Sequence, residues 1–112
     1  MLFRSTTYKV LGQSNPSATT LTTLYTVPAS TSAVISTIAI CNQSGSAGTY
    51  RIAIRPAGAA VAAQHYVVYG ATVAANDSIL LTLGVTLATT DVISVYASSA
   101  NMSFAAFGSE IV

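Results

Sequence analysis

Charge is what this chain has least of. Four Lys or Arg and three Asp or Glu in 112 residues amount to 6%, against about 25% in an ordinary soluble domain. The net charge is +1, with neither a basic nor an acidic block. Nucleic-acid binding needs several cations gathered on one face to neutralise phosphates. Arg4, Lys9, Arg51 and Arg55 are too few and too dispersed for that, so nucleic acid is excluded as a partner. There is one cysteine, Cys41, which excludes an internal disulfide and a zinc site built from thiolates. Its place inside "VISTIAICNQ" predicts a buried, inert thiol. Tryptophan is missing altogether, and with it the broadest stacking plane for a sugar. No run of about 18 apolar residues occurs, so no membrane-spanning helix is expected. Met1-Leu2-Phe3-Arg4 lacks the apolar core of a signal peptide, which predicts a protein made and retained in the cytoplasm.

What is abundant is apolar and small. Hydrophobic residues make up 52%, and Ala, Thr, Ser and Val supply much of the chain. A free monomer wears more charge than this to stay soluble and apart from its neighbours. Part of the outer surface is therefore expected to be covered by other chains. The length predicts one domain spanning 1–112, able to bury about two-thirds of its unfolded surface without a staple.

Val, Ile, Thr and Tyr recur at period two, while helix-favouring Glu and Lys are almost missing. Turn signals interrupt every eight to twelve residues or so, the rhythm of a sandwich or barrel. Strands are predicted over 6–13, 23–28, 33–43, 49–56, 64–70, 78–87, 91–98 and from 102 to the end. Residues 1–5 read as a short N-terminal arm whose order depends on docking. "SNPSATTLT" is a polar loop turned by Pro16. The strand 33–43 is apolar on both parities, which predicts cover on both faces. "SGSAG" (44–48) reads as a hairpin loop, as does "SSAN" before the last strand. "AGAAVAA" (57–63) fits a short helical turn or a loop. Gly84 marks a bulge or bend. The fold class is all-β, a single antiparallel β-sandwich of about eight strands, jelly-roll or immunoglobulin-like.

A hydrolase needs a nucleophile, a base and an orienting group. His65 is the one imidazole, and no carboxylate stands near it in sequence. It reads as a strand histidine on a half-exposed face or at a subunit contact. Of the three carboxylates, Asp77 and Asp91 sit at turns, where Asp hydrogen-bonds local backbone; Glu110 is the third. No calcium-loop spacing occurs. Neither an enzyme nor a cofactor or metal site is predicted. Tyr50, Tyr66, Tyr69 and Tyr96 could stack sugars, but packing at core edges or against neighbouring subunits is favoured.

"TYRIAIRPAG" (49–58) is the cleanest alternation, with Arg51 and Arg55 on one parity and Tyr50, Ile52 and Ile54 on the other. Four residues of strand separate the arginines by about 13 Å. Two separate bonds to carboxylates, within an oligomer or on a partner, are easier than one shared bond. The bland alternative is a solvated sheet face.

The segments "YKVLGQ", "LYTVPA", the "RPAG" after a strand and the final "VYASSANMSF…FGSEI" resemble a group of small structural proteins in the virions of tailed phages. Phages of cyanobacteria and other aquatic bacteria come first among them. The likeness runs from residue 8 to residue 111 and contains no catalytic motif. The resemblance implies a role in particle architecture and a place in the virion, with assembly in the host cytoplasm. One placement is a head-decoration (cement) protein on the outside of the major capsid protein shell. The other is a tail, baseplate or fibre component that binds carbohydrate at the host surface. No coiled-coil or collagen-like stalk is present in the chain, which fits the first better. As a cement protein it would bridge neighbours as a homo-oligomer, a trimer by symmetry. Arg51, Arg55 and Arg4 in the arm are then the candidate partner contacts.

Overall fold

Why this chain rolls up into two layers is visible in which strands find each other. The computed structural model describes residues 5–112. Arg4, and most of the expected arm with it, lies outside the described residues. The strands are β1 (Thr6–Ser14), β2 (Thr22–Thr26), β3 (Ser32–Asn42), β4 (Gly48–Arg55), β5 (Tyr66–Val73), β6 (Ser78–Leu87), β7 (Val92–Ala97) and β8 (Met102–Ile111). They form two four-stranded antiparallel sheets, ordered β1-β8-β3-β6 and β2-β7-β4-β5.

First pairs with last, second with seventh, third with sixth and fourth with fifth. A single long hairpin folded over on itself gives that order, and it is a jelly roll. An immunoglobulin-like sandwich would instead set its sheets as ABED and CFG. Of the two fold expectations, the jelly roll is the one realised.

One consequence corrects the turn reading. The loops at 43–47 and 98–101 do not close hairpins, because β3 and β8 lie in one sheet while β4 and β7 lie in the other. The chain crosses between layers there, and a hairpin ladder cannot hold such a crossing. Asn42 does so instead. Its buried amide donates to the carbonyls of Ser46, Val73 and Ala74, and its Oδ1 accepts from the Ser44 N–H. Buried backbone groups need such partners. β4 and β5 alone among consecutive strands pair directly.

The core lies between the sheets. Ile35, Ile38, Ile40 and Phe104 from one layer meet Tyr50, Ile52, Ile93 and Val95 from the other, all 2% exposed or less. Tyr50 and Phe104 meet edge to face with centroids 6.2 Å apart. Each fully buried side chain of this size contributes about 1.5–3 kcal/mol.

β3 is not covered on both faces in the single chain. Ala33 and Ile35 point inward, then the register against β6 shifts between Ile35 and Thr37, and Ile38 and Ile40 point inward next. A bulge therefore swaps the inward parity halfway along, which makes the sequence look two-sided. Ser36 stands opposite Leu83 and Gly84 there, and Gly84 takes φ +62° as a bulge glycine can. The outward set on β3 is Val34, Thr37, Ala39 and Cys41, each partly exposed. Cys41 is thus half-exposed rather than buried.

Candidate functional site

The outer face of the β2-β7-β4-β5 sheet carries the arginines. Arg51 lies opposite Tyr96 of β7 and Tyr69 of β5; Arg55 lies opposite Val92. Both point outward, as the alternation of β4 predicts, while Tyr50, Ile52 and Ile54 face or pack on the core.

Their surroundings differ. The Arg51 guanidinium stands 4.1 Å from the centre of the Tyr69 ring and 4.3 Å from that of Tyr96. Two aromatic faces thus enclose one cation, a favourable electrostatic pairing for each ring. Arg55 runs under the β4–β5 connection instead. Its Nη1 donates to the Ala59 carbonyl at 3.2 Å, and its buried Nε finds no partner among the described residues.

That connection, read as a helical turn or a loop, contains two short 3-10 turns, Pro56–Gly58 and Ala63–His65. Asp91 pins the first of them. One carboxylate oxygen accepts from the Ala57 N–H and the other from the Ala88 N–H, both at 2.9 Å. Asp77 accepts from the Ser78 N–H at 2.8 Å. Both aspartates hydrogen-bond local backbone, as their turn positions predict, and Asp91 in addition holds the distant Ala57 amide. His65 ends the second turn, ahead of the strand rather than in it. Its Nδ1 accepts from the Ala62 N–H at 3.0 Å, so the ring proton is carried on Nε2.

Two bulges in β5 assemble the rest. Against β4 the register slips at Gly70 and again at Val67. In a regular strand Tyr66 and Tyr69, three apart, would point to opposite faces. The extra residue at Gly70 turns Tyr69 to the outer face opposite Arg51, and the one at Val67 brings Tyr66 to the same face, where the two rings meet edge to face at 5.0 Å. Gly70 takes φ +78° to allow the first slip. Val61, Ala62, Ala63, Tyr66 and Tyr69 line an open depression of about 610 Å³ beside the Arg51 stack. Tyr69 is 65% exposed.

The tyrosines therefore divide. Tyr50 packs in the core as expected, and Tyr66, Tyr69 and Tyr96 build a surface cluster around Arg51. Alternation could not find this grouping, because it needs the register of three strands; the glycine after Tyr69 was the one local signal.

The remaining charges among the described residues sit at the β1 edge. Lys9 Nζ lies 2.8 Å from Glu110 Oε1, and the Tyr25 hydroxyl donates to Glu110 Oε2 at 2.6 Å. Tyr25 belongs to the second sheet, so this triad ties the layers together. The hydrogen bonds from Lys9 and then Tyr25 hold the Glu110 carboxyl below its ordinary value. Burial, with Glu110 next to it, pushes the Tyr25 hydroxyl up.

Among the described residues no three His, Cys, Asp or Glu gather as metal ligands, and no helix is long and apolar enough to cross a membrane. No family model, curated protein or solved structure matches this chain.

Proposed function

We propose that this protein is a non-enzymatic structural component of a tailed-phage virion, a head-decoration protein that binds the outer surface of the major capsid protein shell. One observation carries the reading: the two broad faces of the sandwich both have the composition of contact surfaces, and they differ. The outer face of β1-β8-β3-β6 presents Val34, Thr37, Ala39, Ala105, Phe107 and Leu80 with no charge among them. The other face presents Arg51 in its tyrosine cluster. Core positions of protein interfaces are depleted in charge and enriched in Tyr and Arg. A module with two unlike contact faces can meet a sister copy with one and the shell with the other, so that rupture must break both. The uncharged face supports association into a homotrimer, and Arg51 supports the shell contact. Arg55, tied to Ala59, serves the connection above it more than a partner. The jelly roll is used by viral capsid and lectin domains alike, so the fold fits the reading without deciding it.

The test is rebinding. Heads stripped of the protein should recover it at a fixed ratio to the shell subunit, and regain heat resistance when it returns. Saturation at a few copies per particle would point to the tail. That second reading, a carbohydrate-binding tail, baseplate or fibre component, is favoured by the aromatic walls of the depression at Tyr66 and Tyr69.

A further inference from the structure

We infer that Arg51 anchors a docking site for a protein segment bearing a carboxylate next to an apolar side chain. This rests on the contact reading above and names the partner's chemistry. Flanked by one ring from each neighbouring strand, the Arg51 guanidinium has no hydrogen-bond or ion-pair partner among the described residues, and its N–H edge is left for a partner. That edge is a planar fork whose best complement is a carboxylate taken two oxygens at a time.

The described carboxylates are engaged elsewhere. Glu110 is held by Lys9 and Tyr25, Asp91 by two backbone amides, and Asp77 by the Ser78 amide. None is paired with Arg51, so the matching acid comes from outside this copy's described residues. The flanking rings also fix the arginine beforehand, so less rotamer freedom is lost on docking.

The depression beside it decides the class of partner. Its lining is Val61, Ala62 and Ala63 of the connection and two tyrosines, with no side-chain amide or carboxylate to pair sugar hydroxyls. Such walls suit an aliphatic or aromatic side chain adjacent to the acid. Tyr and Arg together, fixed and partly desolvated, are the residues that dominate binding at protein interfaces.

The experiment is selection from a random heptapeptide library on the immobilised protein. The expected consensus places Asp or Glu directly beside Leu, Ile, Val or Phe. A synthetic consensus peptide should bind Arg51→Gln about tenfold more weakly, the scale of losing one charge-assisted fork. Arg51→Lys, which keeps the charge without the fork, should lose severalfold and guards against misfolding of the first variant. Tyr66→Ala, which leaves the stack intact, should relax the apolar preference and keep the acidic one. A consensus without an acid, or equal affinity for wild type and both Arg51 variants, overturns the site. Displacement of the peptide by D-glucuronate, with Arg51-dependent binding of glucuronate alone, overturns it in favour of a saccharide. The two failures are separable: loss of the rebinding to heads leaves a peptide consensus standing, and rebinding without any acidic preference sinks only this inference.

Discussion

The two outer faces of this sandwich come from the same alternating strand chemistry and yet share almost nothing. On β1-β8-β3-β6 the outward positions are small, apolar or hydroxylated apart from Gln13, with Leu80 and Tyr8 the tall exposed side chains at 67% and 84%. On β2-β7-β4-β5 a cation is enclosed by rings, and a connection folds back over its lower end. Bulges make the difference. The one in β3 keeps isoleucine facing inward along a bent strand, and so serves packing. The pair in β5 costs pairing at an edge: the one at Gly70 turns Tyr69 to the Arg51 face and the one at Val67 brings Tyr66 to the same side, which serves a surface. Bulges beside functional sites re-aim side chains in this way, and they also blunt an edge strand against unwanted pairing.

Substitutions can separate these roles. Ile38→Ala should cost about 2–5 kcal/mol in chemical denaturation, as buried isoleucine truncations do. Thr37→Ala, one residue away on the outer face, should stay within about 0.5 kcal/mol. Equal costs would contradict the parity swap at Ser36.

Gly70→Ala meets no atom within 4 Å of the added carbon, so its cost is conformational alone, about 1–2 kcal/mol for a left-handed backbone. The same variant should lose the NMR contact between the Tyr69 ring and the Arg51 side chain. Full stability with that contact retained would mean the bulge does not place them.

The Lys9–Glu110–Tyr25 triad predicts a pH profile. The folded-state carboxyl of Glu110 lies below its ordinary value of 4.5, so its contribution is present above that value. It is lost as pH falls from there through the folded value. Tyr25 titrates above its ordinary 10.0 when folded, so its contribution is present below 10.0 and is lost as pH rises through the folded value. Glu110→Gln should flatten the acid limb, visible as a smaller drop in Tm between neutral buffer and buffer well below pH 4.5. An unchanged limb would remove the triad from the layer contact.

A small stability effect belongs to the residue with the largest proposed role. Arg51→Gln should cost no more than about 0.5–1 kcal/mol, the scale of cation–π contacts at exposed sites. A loss of several kcal/mol would make Arg51 a structural residue and weaken its claim as a contact.

Much of this was legible in the order of residues. "TYRIAIR" announces β4 by strict alternation, and with it the shared face of Arg51 and Arg55. Asp77 and Asp91 announce turns, and Gly84 its bulge. What stayed hidden depends on partners distant in the chain. The "SGSAG" turn looks local, but whether it closes a hairpin or crosses layers depends on β6 and β8 flanking β3. Cys41 looks buried because apolar residues precede it on both parities, and the swap at Ser36 turns it outward. Tyr96 is 45 residues from Arg51, and nothing near either one records that they are neighbours. His65 looked like part of a strand because Tyr66-Val67-Val68 follows, while its ring closes the turn before it.

Antibody labelling of purified particles in negative stain bears most directly on the proposal that this is a contact module of the virion shell. Label distributed over the heads, in register with the shell lattice, is the predicted result; particles that carry no label on the head would contradict it.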